Sequence, residues 1–318
     1  MSQDPVVSTA PAIDVQALGR TFGSFVAVKD LSFSVKQGEI FGFLGANGAG
    51  KSTTIRMMCG LLKPTSGTAL IGGIDVSRDP DGVKRTIGYM SQKFSLYEAL
   101  TVDQNIRFFG GIYGIPRDRF EARRKFVVDM AGLAGRENTL TRDLPGGWRQ
   151  RLALGCAILH EPKIVFLDEP TGGVDPLSRR RFWDLIGDLS REGVTVLVTT
   201  HYLDEAEHCH RIAIIQAGQL AALGTATELK QTFADRPIVE IHASKPVEAM
   251  AVLDRDDRVE KTSLFGTAVH AVLKDRMTDP ALLTSALRQS GIDVASIGAV
   301  SPSLEDVFLD VVERLGTA

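Results

Sequence analysis

The sequence predicts an α/β fold with an antiparallel β subdomain at its N-terminal end, an inserted helical subdomain, and a small α+β domain at its C-terminal end. Short apolar runs, typical of buried strands, recur between residues 39 and 198 and alternate with helical patterns. Residues from about 95 to 160 show mainly helical periodicity. From about Pro237 the strands and helices alternate in a different pattern. We therefore expect a core domain at 13–225, with the helical insert at about 95–160, and an accessory domain at 226–318.

Composition places the chain among ordinary globular proteins. Its 318 residues suffice for one large domain or two smaller ones, and 44% of them are hydrophobic. The net charge is -3, so the chain lacks the excess of basic residues that is typical of proteins that bind nucleic acid. We therefore expect no nucleic-acid partner. The three cysteines, Cys59, Cys156 and Cys209, lack metal-ligand spacing and predict buried thiols in a reducing compartment.

The first residues and the hydropathy pattern give two further expectations. Residues 1–12 have neither a basic start nor a long apolar run, which predicts a flexible tail rather than a signal peptide. No run approaches 18 apolar residues, so we expect no transmembrane helix.

The start of the core domain predicts two strands of an antiparallel sheet. Residues 13–18 alternate between apolar and polar side chains, and residues 31–35 do so again before a turn at Gln37-Gly38. Phe22 lies in the connection between them. A flat aromatic ring there can stack on an adenine base or can belong to the core, and the local pattern leaves both interpretations open.

The stretch Gly45–Thr53 organises the rest of the chain, because it matches the P-loop pattern of Gly, four residues, Gly, Lys, then Ser or Thr. An apolar strand at 39–44 precedes it and a helix at 52–59 follows, which argues against a simple glycine-rich turn. Glycines let backbone N–H groups wrap a phosphate, Lys51 reaches the β- and γ-phosphates, and the Ser52 hydroxyl ligates Mg²⁺. The predicted phosphate-binding residues are Gly45, Ala46, Asn47, Gly48, Ala49, Gly50, Lys51, Ser52 and Thr53. The pattern alone indicates only a nucleoside triphosphate, since kinases, GTPases and ATPases share it.

Two later predicted strands are followed by side chains that can bind a cation, transfer a proton or contact a ligand. The apolar run 164–167 ends in Asp168-Glu169, and adjacent carboxylates at a buried strand end are costly unless they serve a cation or a proton transfer. An Asp at this place helps to hold Mg²⁺ in P-loop proteins, and Glu169 can act as a general base. The strand at 194–198 leads to His201, at the carboxyl end where α/β folds bind ligands, although a lone histidine is usually structural.

The stretch LPGGWRQ at 144–150 precedes an apolar helix at 152–159. A Gly-Gly pair before a helix leaves unpaired N–H groups, which make a good anion site, although a plain helix start gives the same pattern.

The remaining predicted elements lie around these motifs. A strand at 86–90 leads to Gln92. Further strands are predicted at 68–71, 238–241 and 268–273, and further helices at 246–253, 280–290 and from 303. The accessory domain shows no catalytic constellation.

Taken together, these residues resemble the nucleotide-binding subunit of an ABC transporter. The motifs that match, in order, are 45–53, Gln92, 144–150, 164–169, 171–175 and His201. The resemblance covers about 13–225, and several motifs in the right order are far more specific than any one. Residues 303–308, Ser-Leu-Glu-Asp-Val-Phe, resemble the extra domain of drug- and antibiotic-exporter ATPases.

This resemblance implies a RecA-like P-loop core that binds ATP and Mg²⁺ and hydrolyses ATP in a head-to-tail dimer. The second subunit is another copy of the chain or a homologous ATPase subunit, and its LPGGWRQ stretch completes the site. Phe22 stacks on adenine, while Ser52, Gln92 and Asp168 hold Mg²⁺ directly or through water. Glu169 activates the attacking water and His201 contacts the γ-phosphate. The residues implied to bind the nucleotide across the dimer are Pro145, Gly146, Gly147 and Gln150, and Asp175, grouped with the nucleotide site, is implied to communicate across the dimer interface.

The resemblance also implies a membrane partner. An integral membrane permease subunit contacts the residues near Gln92 and the helical segment after it, and it selects the transported substrate. The chain is then cytoplasmic and peripheral on the inner face of the cell membrane. We expect the ATPase of an exporter, with direction resting on the C-terminal resemblance.

One departure from the family stands at Pro145, where the family usually has a serine. That serine hydroxyl touches the γ-phosphate, and proline has no hydroxyl. Gly146 and Gly147 still supply N–H groups, and proline is well tolerated at the first helical position.

Three other functions fit the P-loop less well. A soluble ABC ATPase acting on DNA or ribosomes typically has two cassettes, a coiled-coil insert or basic arms, and this sequence shows one cassette and none of these. The LPGGWRQ stretch and His201 argue against a kinase or GTPase. Lys51, Asp168 and Glu169 argue against an inactive binding module.

Overall fold

The computed structural model describes residues 10–92, 96–275 and 279–316, and it divides into two units. The first unit ends at Thr225 and the second begins at Ala226. Of the tail predicted at 1–12, residues 1–9 lie outside the described residues. Ala12 contradicts that prediction, because its side chain is buried and its N–H donates to the carbonyl of Val35 at 2.8 Å.

The first unit contains two sheets and two groups of helices. In chain order its elements are β1 (Ile13–Phe22), β2 (Phe25–Val35), β3 (Ile40–Leu44), α1 (Lys51–Met58), β4 (Ser66–Ile71), β5 (Ile74–Asp75), α2 (Pro80–Thr86), β6 (Ile87–Met90), α3 (Val102–Ile112), α4 (Arg117–Ala131), α5 (Gly146–Ala157), β7 (Ile164–Asp168), α6 (Pro176–Arg191), β8 (Thr195–Thr200), α7 (Leu203–Ala206), β9 (Arg211–Gln216) and β10 (Gln219–Gly224).

The antiparallel sheet has the strand order β2-β1-β4-β5, which confirms the predicted N-terminal subdomain. Its first two strands are longer than predicted and form a hairpin in which Phe22 pairs with Phe25. Register shifts occur between Val15 and Leu18 and again further along, and Ala17 has a positive φ of 49°. These irregularities interrupt the alternation of side chains, so the sequence pattern stopped short of the hairpin.

The central sheet has the order β10-β9-β3-β8-β7-β6, with β3, β6, β7, β8 and β9 parallel and β10 antiparallel to β9. All five residues of β3 and of β7 are buried, as in parallel strands covered on both faces. The Phe33 ring of the antiparallel sheet stacks on Phe41 of β3 at 5.4 Å and tilts against Phe43 at 5.1 Å. These rings join the two sheets in one core, and the carboxyl ends of the parallel strands share one edge.

Helices α3, α4 and α5 form the predicted helical insert with a core of their own. Gly155 lets α5 approach α4 closely, because a Cβ there would lie 2.5 Å from Cγ1 of Val127. Cys59, Cys156 and Cys209 are buried free thiols, and burial raises the pKa of each. Within the described ranges no helix is both long enough and apolar enough to cross a membrane.

The second unit is a four-stranded antiparallel sheet with helices. Its elements are α8 (Ala226–Lys230), β11 (Ile238–Ala243), α9 (Pro246–Leu253), β12 (Val259–Phe265), β13 (Ala268–Leu273), α10 (Pro280–Gln289), β14 (Val294–Val300) and α11 (Leu304–Gly316). The strand order is β12-β13-β11-β14, and an apolar core joins the sheet to α9 and α10. The edge strands β12 and β14 were not predicted, since neither shows a regular apolar alternation.

A charged cluster ties α11 to the rest of the second unit. The carboxylate of Asp310, almost fully buried, lies 3.0 Å from Arg236, 2.8 Å from Lys261 and 3.0 Å from Arg314. Burial raises the pKa of Asp310, but hydrogen bonds from Arg236 and Lys261 outweigh burial and lower the pKa below 3.8. Because the pKa is lowered in the folded state, this stabilisation is present above about pH 4 and is lost as the pH falls below it.

We expect Asp310→Asn to lower the free energy of unfolding by about 2 kcal/mol at neutral pH, because Arg236 and Lys261 lose a charged acceptor. The deficit should shrink as the pH falls below about 4, because the unfolded chain is protonated there first and folded Asp310 is protonated only at its lowered pKa. Urea denaturation followed by far-UV circular dichroism across this pH range measures both effects. Glu248→Gln, which removes the exposed ion pair with Lys245, serves as the control and should change stability by less than about 1 kcal/mol. An equal loss in both variants would contradict the role of the Asp310 cluster.

Candidate active site at the carboxyl edge of the parallel sheet

The P-loop connects β3 to α1 through a tight turn. Ala46, Asn47 and Gly48 are exposed at its tip, and the Ala49 N–H donates to the Ala46 carbonyl at 3.1 Å. Gly50 has a φ of +102°, and a Cβ there would lie 2.7 Å from the backbone oxygen of Ala27. Both the conformation and the close approach therefore require glycine. No side chain caps the start of α1, so its first N–H groups remain available to an anion.

Lys51, the first residue of α1, directs its ammonium group back into the loop. Its Nζ donates to the carbonyls of Gly45 at 2.8 Å and Ala46 at 3.1 Å, and it lies 3.3 Å from Oε1 of Glu169. Lys51 is only 4% exposed. The buried positive charge is thus fixed between the P-loop and the end of β7, where phosphate oxygens can replace the carbonyl acceptors.

Asp168 ends β7 and meets the P-loop helix and β8. Its Oδ1 accepts hydrogen bonds from the Ser52 hydroxyl at 3.0 Å and from the Thr199 hydroxyl at 2.7 Å. The Asp168 side chain is almost fully buried. The structure thus brings together Ser52 and Asp168, two of the three predicted Mg²⁺ ligands.

Glu169 is the centre of the cluster. Its backbone has a φ of +48°, which is uncommon for a residue with a side chain. Its Oε2 accepts a hydrogen bond from Nε2 of Gln92 at 3.0 Å and lies 3.4 Å from Nδ1 of His201. The His201 side chain is one-third exposed, and its ring lies 4.1 Å from that of Tyr202. The predicted residues Lys51, Gln92, Glu169 and His201 therefore meet at one place.

A cavity of about 410 Å³ opens over the P-loop. Its lining residues are Phe25, Ala27, Asn47, Gly48, Gly50, Lys51, Ser52, Thr53, Gln92 and Glu169. Phe25 and Ala27 were not predicted here, because the hairpin that carries Phe25 was itself not predicted. Phe22 does not line the cavity. Its side chain is 45% exposed, so Phe22 is not part of the hydrophobic core, which was one of its two predicted roles. The Arg20 guanidinium lies over its ring at 4.5 Å.

The donor set fits Mg²⁺ that arrives with a nucleotide. No group of three or more His, Cys, Asp or Glu side chains forms a metal cluster in the part of the chain that the structure describes. Mg²⁺ is usually bound by one or two carboxylates together with substrate phosphates. The Ser52 hydroxyl, the Asp168 carboxylate and the Gln92 amide supply hard oxygen ligands of that kind.

The segment at 144–150 starts α5 and lies outside the cavity lining. Pro145 has φ −55° and ψ 151° and occupies the residue before the helix, which corrects the expected first helical position. Its carbonyl accepts from the N–H groups of Trp148 and Arg149, so the helix begins at Gly146. A Cβ on Gly146 would meet no atom within 4 Å, whereas one on Gly147 would lie 2.3 Å from Oγ of Ser178.

Gln150 and Asp175 have structural contacts. Gln150 is fully buried and its Nε2 donates to the carbonyl of Pro170 at 2.8 Å, so the expectation that it contacts a nucleotide is not supported. One turn into α5, the side chain faces the interior. Asp175 is exposed and caps α6 by accepting from the Ser178 N–H at 3.0 Å, a bond that lowers its pKa.

Comparison with known proteins identifies the architecture. The family model described as "ABC transporter" matches residues 28–172, and one described as "ATP-binding protein DrrA1-3-like, C-terminal domain" matches residues 224–312. A dimeric structure of a post-hydrolysis state of the ATP-binding cassette MJ0796, bound to ADP and Pi, superposes with a TM-score of 0.61 at 26% identity. It covers 67% of this chain and 98% of that one.

Two curated relatives extend the comparison. "Probable multidrug ABC transporter ATP-binding protein YbhF" of Escherichia coli (strain K12) is 51% identical over 218 residues, 69% of this chain. The match spans only 38% of the length of that relative. "Daunorubicin/doxorubicin resistance ATP-binding protein DrrA" of Streptomyces peucetius is 37% identical over 309 residues, covering 94% of this chain and 91% of the relative. The chain therefore belongs to the ABC transporter family, among its ATP-binding proteins.

Proposed function

We propose that the chain is the ATP-binding subunit of an ABC exporter, which hydrolyses ATP in a head-to-tail dimer to power transport through a separate membrane subunit. One observation carries the proposal: the nearly buried Glu169 carboxylate stands beside Lys51, Gln92 and His201 at the mouth of the P-loop. A carboxylate there can accept a proton from water close to a bound γ-phosphate.

The P-loop binds the phosphates of ATP through its N–H groups and Lys51. Ser52, Asp168 and Gln92 would hold Mg²⁺ directly or through water, and the bound cation would supply positive charge to offset that of the phosphates. The hairpin of β1 and β2 presents Phe22 and Phe25 to solvent, 45% and 64% exposed, and offers aromatic faces to the adenine.

Hydrolysis depends on Glu169 and His201. Glu169 accepts the proton of the attacking water, and its Oε1 lies 3.3 Å from Nζ of Lys51. Gln92 donates to the same carboxylate and orients it. His201, partly exposed beside Glu169, contacts the γ-phosphate.

A second subunit, either another copy or a homologous ATPase subunit, completes each site with its Pro145, Gly146 and Gly147. The N–H groups at the start of α5 have no side-chain cap and suit a γ-phosphate. Asp175 is exposed at the start of α6, and we propose that it communicates with the second subunit across the dimer interface. The dimeric structure of the MJ0796 cassette supports the pairing of two such subunits.

A membrane permease contacts residues near Gln92 and helix α3, and the chain sits on the cytoplasmic face of the cell membrane. The names of YbhF and DrrA, a multidrug transporter protein and a drug-resistance protein, support export. The match of residues 224–312 to the DrrA-like C-terminal domain supports the same direction.

We expect Glu169→Gln to bind ATP and to lose about 100- to 10,000-fold in turnover, because an amide keeps the shape of the side chain but cannot accept the proton. Phosphate release measures turnover, and equilibrium titration measures ATP affinity. Size-exclusion chromatography with ATP and Mg²⁺ should show the variant accumulating as a dimer.

Glu192→Gln, the same change at an exposed position at the end of α6, is the matched control and should hydrolyse ATP as the wild type does. Wild-type turnover in Glu169→Gln would remove Glu169 from the role of general base. Loss of ATP binding would show instead that the carboxylate is needed to form the site.

The dimer is tested at Gly146, where the structure has room for a side chain. In the Glu169→Gln background we expect Gly146→Asp to weaken the ATP-driven dimer by at least about tenfold, because a carboxylate then faces the phosphates of the opposite site. An acidic residue is favourable at a helix N-terminus, so α5 itself should not be destabilised. Sedimentation analysis with ATP measures the dimer dissociation constant.

Gly146→Asn, equal in size and uncharged, separates charge from bulk and should weaken the dimer much less. ATP binding to the chain's own P-loop should stay at the wild-type value in both variants. A Gly146→Asp dimer as tight as that of Gly146→Asn would contradict contact between this segment and a nucleotide.

A further inference from the structure

We propose that Thr199 is a positioning residue that holds Asp168 and Glu169 in place for Mg²⁺ and the attacking water. The inference rests on the proposed ATPase function and adds to it a residue that touches neither nucleotide nor cation. Thr199 lies near the end of β8, two residues before His201, and is fully buried.

In each of the two hydrogen bonds of the Thr199 hydroxyl, the donor and the acceptor are determined. The Glu169 N–H can only donate, and it donates to Oγ1 of Thr199 at 2.9 Å. The hydroxyl proton is therefore free to go to Oδ1 of Asp168, 2.7 Å away. An ionised carboxylate can only accept, so both bonds are satisfied in a single orientation of the hydroxyl. One side chain thus fixes the carboxylate of Asp168 and the backbone of Glu169 together.

Among the described residues, Asp168 accepts side-chain hydrogen bonds from Thr199 and from Ser52. Ser52 also donates to Oδ1, but the Ser52 hydroxyl has a second proposed partner in Mg²⁺. Thr199 has no such competing partner. Asp168 is 2% exposed, so bulk water cannot readily replace a missing donor. A buried acceptor that loses its donor is costly, and the carboxylate would reorient.

The bond to Glu169 anchors an unfavourable backbone conformation. Glu169 has a φ of +48°, and its N–H contacts both the carbonyl of Thr199 at 3.2 Å and the hydroxyl at 2.9 Å. This conformation turns the side chain toward Lys51, Gln92 and His201. Such backbone geometry persists only where the surroundings hold it, and Thr199 supplies both acceptors.

The pairing of β7 and β8 gives the hydroxyl its direction. Asp168 and Thr199 are partners in the parallel ladder, so their side chains lie side by side. Thr195, at the other end of β8, is also buried, but its hydroxyl accepts from the N–H of Gly38, away from the site. Thr195→Val is therefore a control with the same substitution in the same strand; it removes one hydrogen bond away from the site, whereas Thr199→Val removes two within it.

The experiment compares Thr199→Val, Thr199→Ser and Thr195→Val in the full chain. Trinitrophenyl-ATP is titrated in EDTA and again with increasing Mg²⁺, and kcat and KM are measured for ATP. We expect Thr199→Val to bind the nucleotide normally in EDTA but to lose about 10- to 100-fold in Mg²⁺ affinity or kcat, as partners of metal ligands do. KM for ATP should change little. Thr199→Ser, which keeps the hydroxyl, should restore most of the loss, and Thr195→Val should match the wild type.

Wild-type Mg²⁺ dependence and kcat in Thr199→Val would overturn the inference. An equal loss in Thr195→Val, or no rescue by serine, would reduce Thr199 to a structural residue of β8 and would overturn it as well. Failure of the proposed function is a separate result: wild-type protein without ATPase activity, or activity that survives Lys51→Ala. The Mg²⁺ titration needs no turnover, so it decides the role of Thr199 in either case.

Discussion

Parallel hydrogen bonding among β3, β8 and β7 is the constraint on which the site depends. In this ladder Leu44 pairs with Thr200, and Thr199 pairs with Asp168. The chain leaves each strand at the same edge, so the P-loop, the two carboxylates and His201 converge without any long connection. A register shift of one residue would turn the Thr199 side chain to the opposite face of the sheet and separate it from Asp168.

The two opposite charges at this edge of the sheet, on Lys51 and Glu169, are both largely buried. Lys51 and Glu169 face each other at 3.3 Å with little exposure, so each charge needs the other when no phosphate is present. The left-handed backbone of Glu169 adds a cost of about 1–3 kcal/mol. The fold supplies that stability from the apolar strands beneath, where β3, β7 and β8 are buried along their whole lengths. The polar site is therefore built on strands that are buried along their whole lengths.

Local patterns predicted the parts of the site that a single segment carries. The P-loop turn and the Asp168-Glu169 pair lie directly after apolar runs, so the sequence alone located them. The hairpin with Phe25 was missed because bulges near Ala17 interrupt the alternation of β1. Contacts that join distant segments left no local signal: the hydroxyl of Thr199 on Asp168 is decided by strand pairing, 31 residues apart. The helix predicted at 152–159 begins six residues earlier, at Gly146 directly after Pro145, because its start is set by which carbonyl accepts the first bonds and not by an apolar pattern.

The hydrogen bond from Gln150 to Pro170 connects the helical insert to the turn that carries Glu169. Gln150 belongs to α5, and Pro170 directly follows Glu169, so the bond joins two elements 20 residues apart. A hydrogen bond tolerates only about 0.5 Å of stretch before it weakens steeply. Any larger displacement of α5 must therefore break this bond or pull the turn that carries Glu169. As long as this bond is kept, a displacement of the helical insert moves the backbone of the turn that carries Glu169.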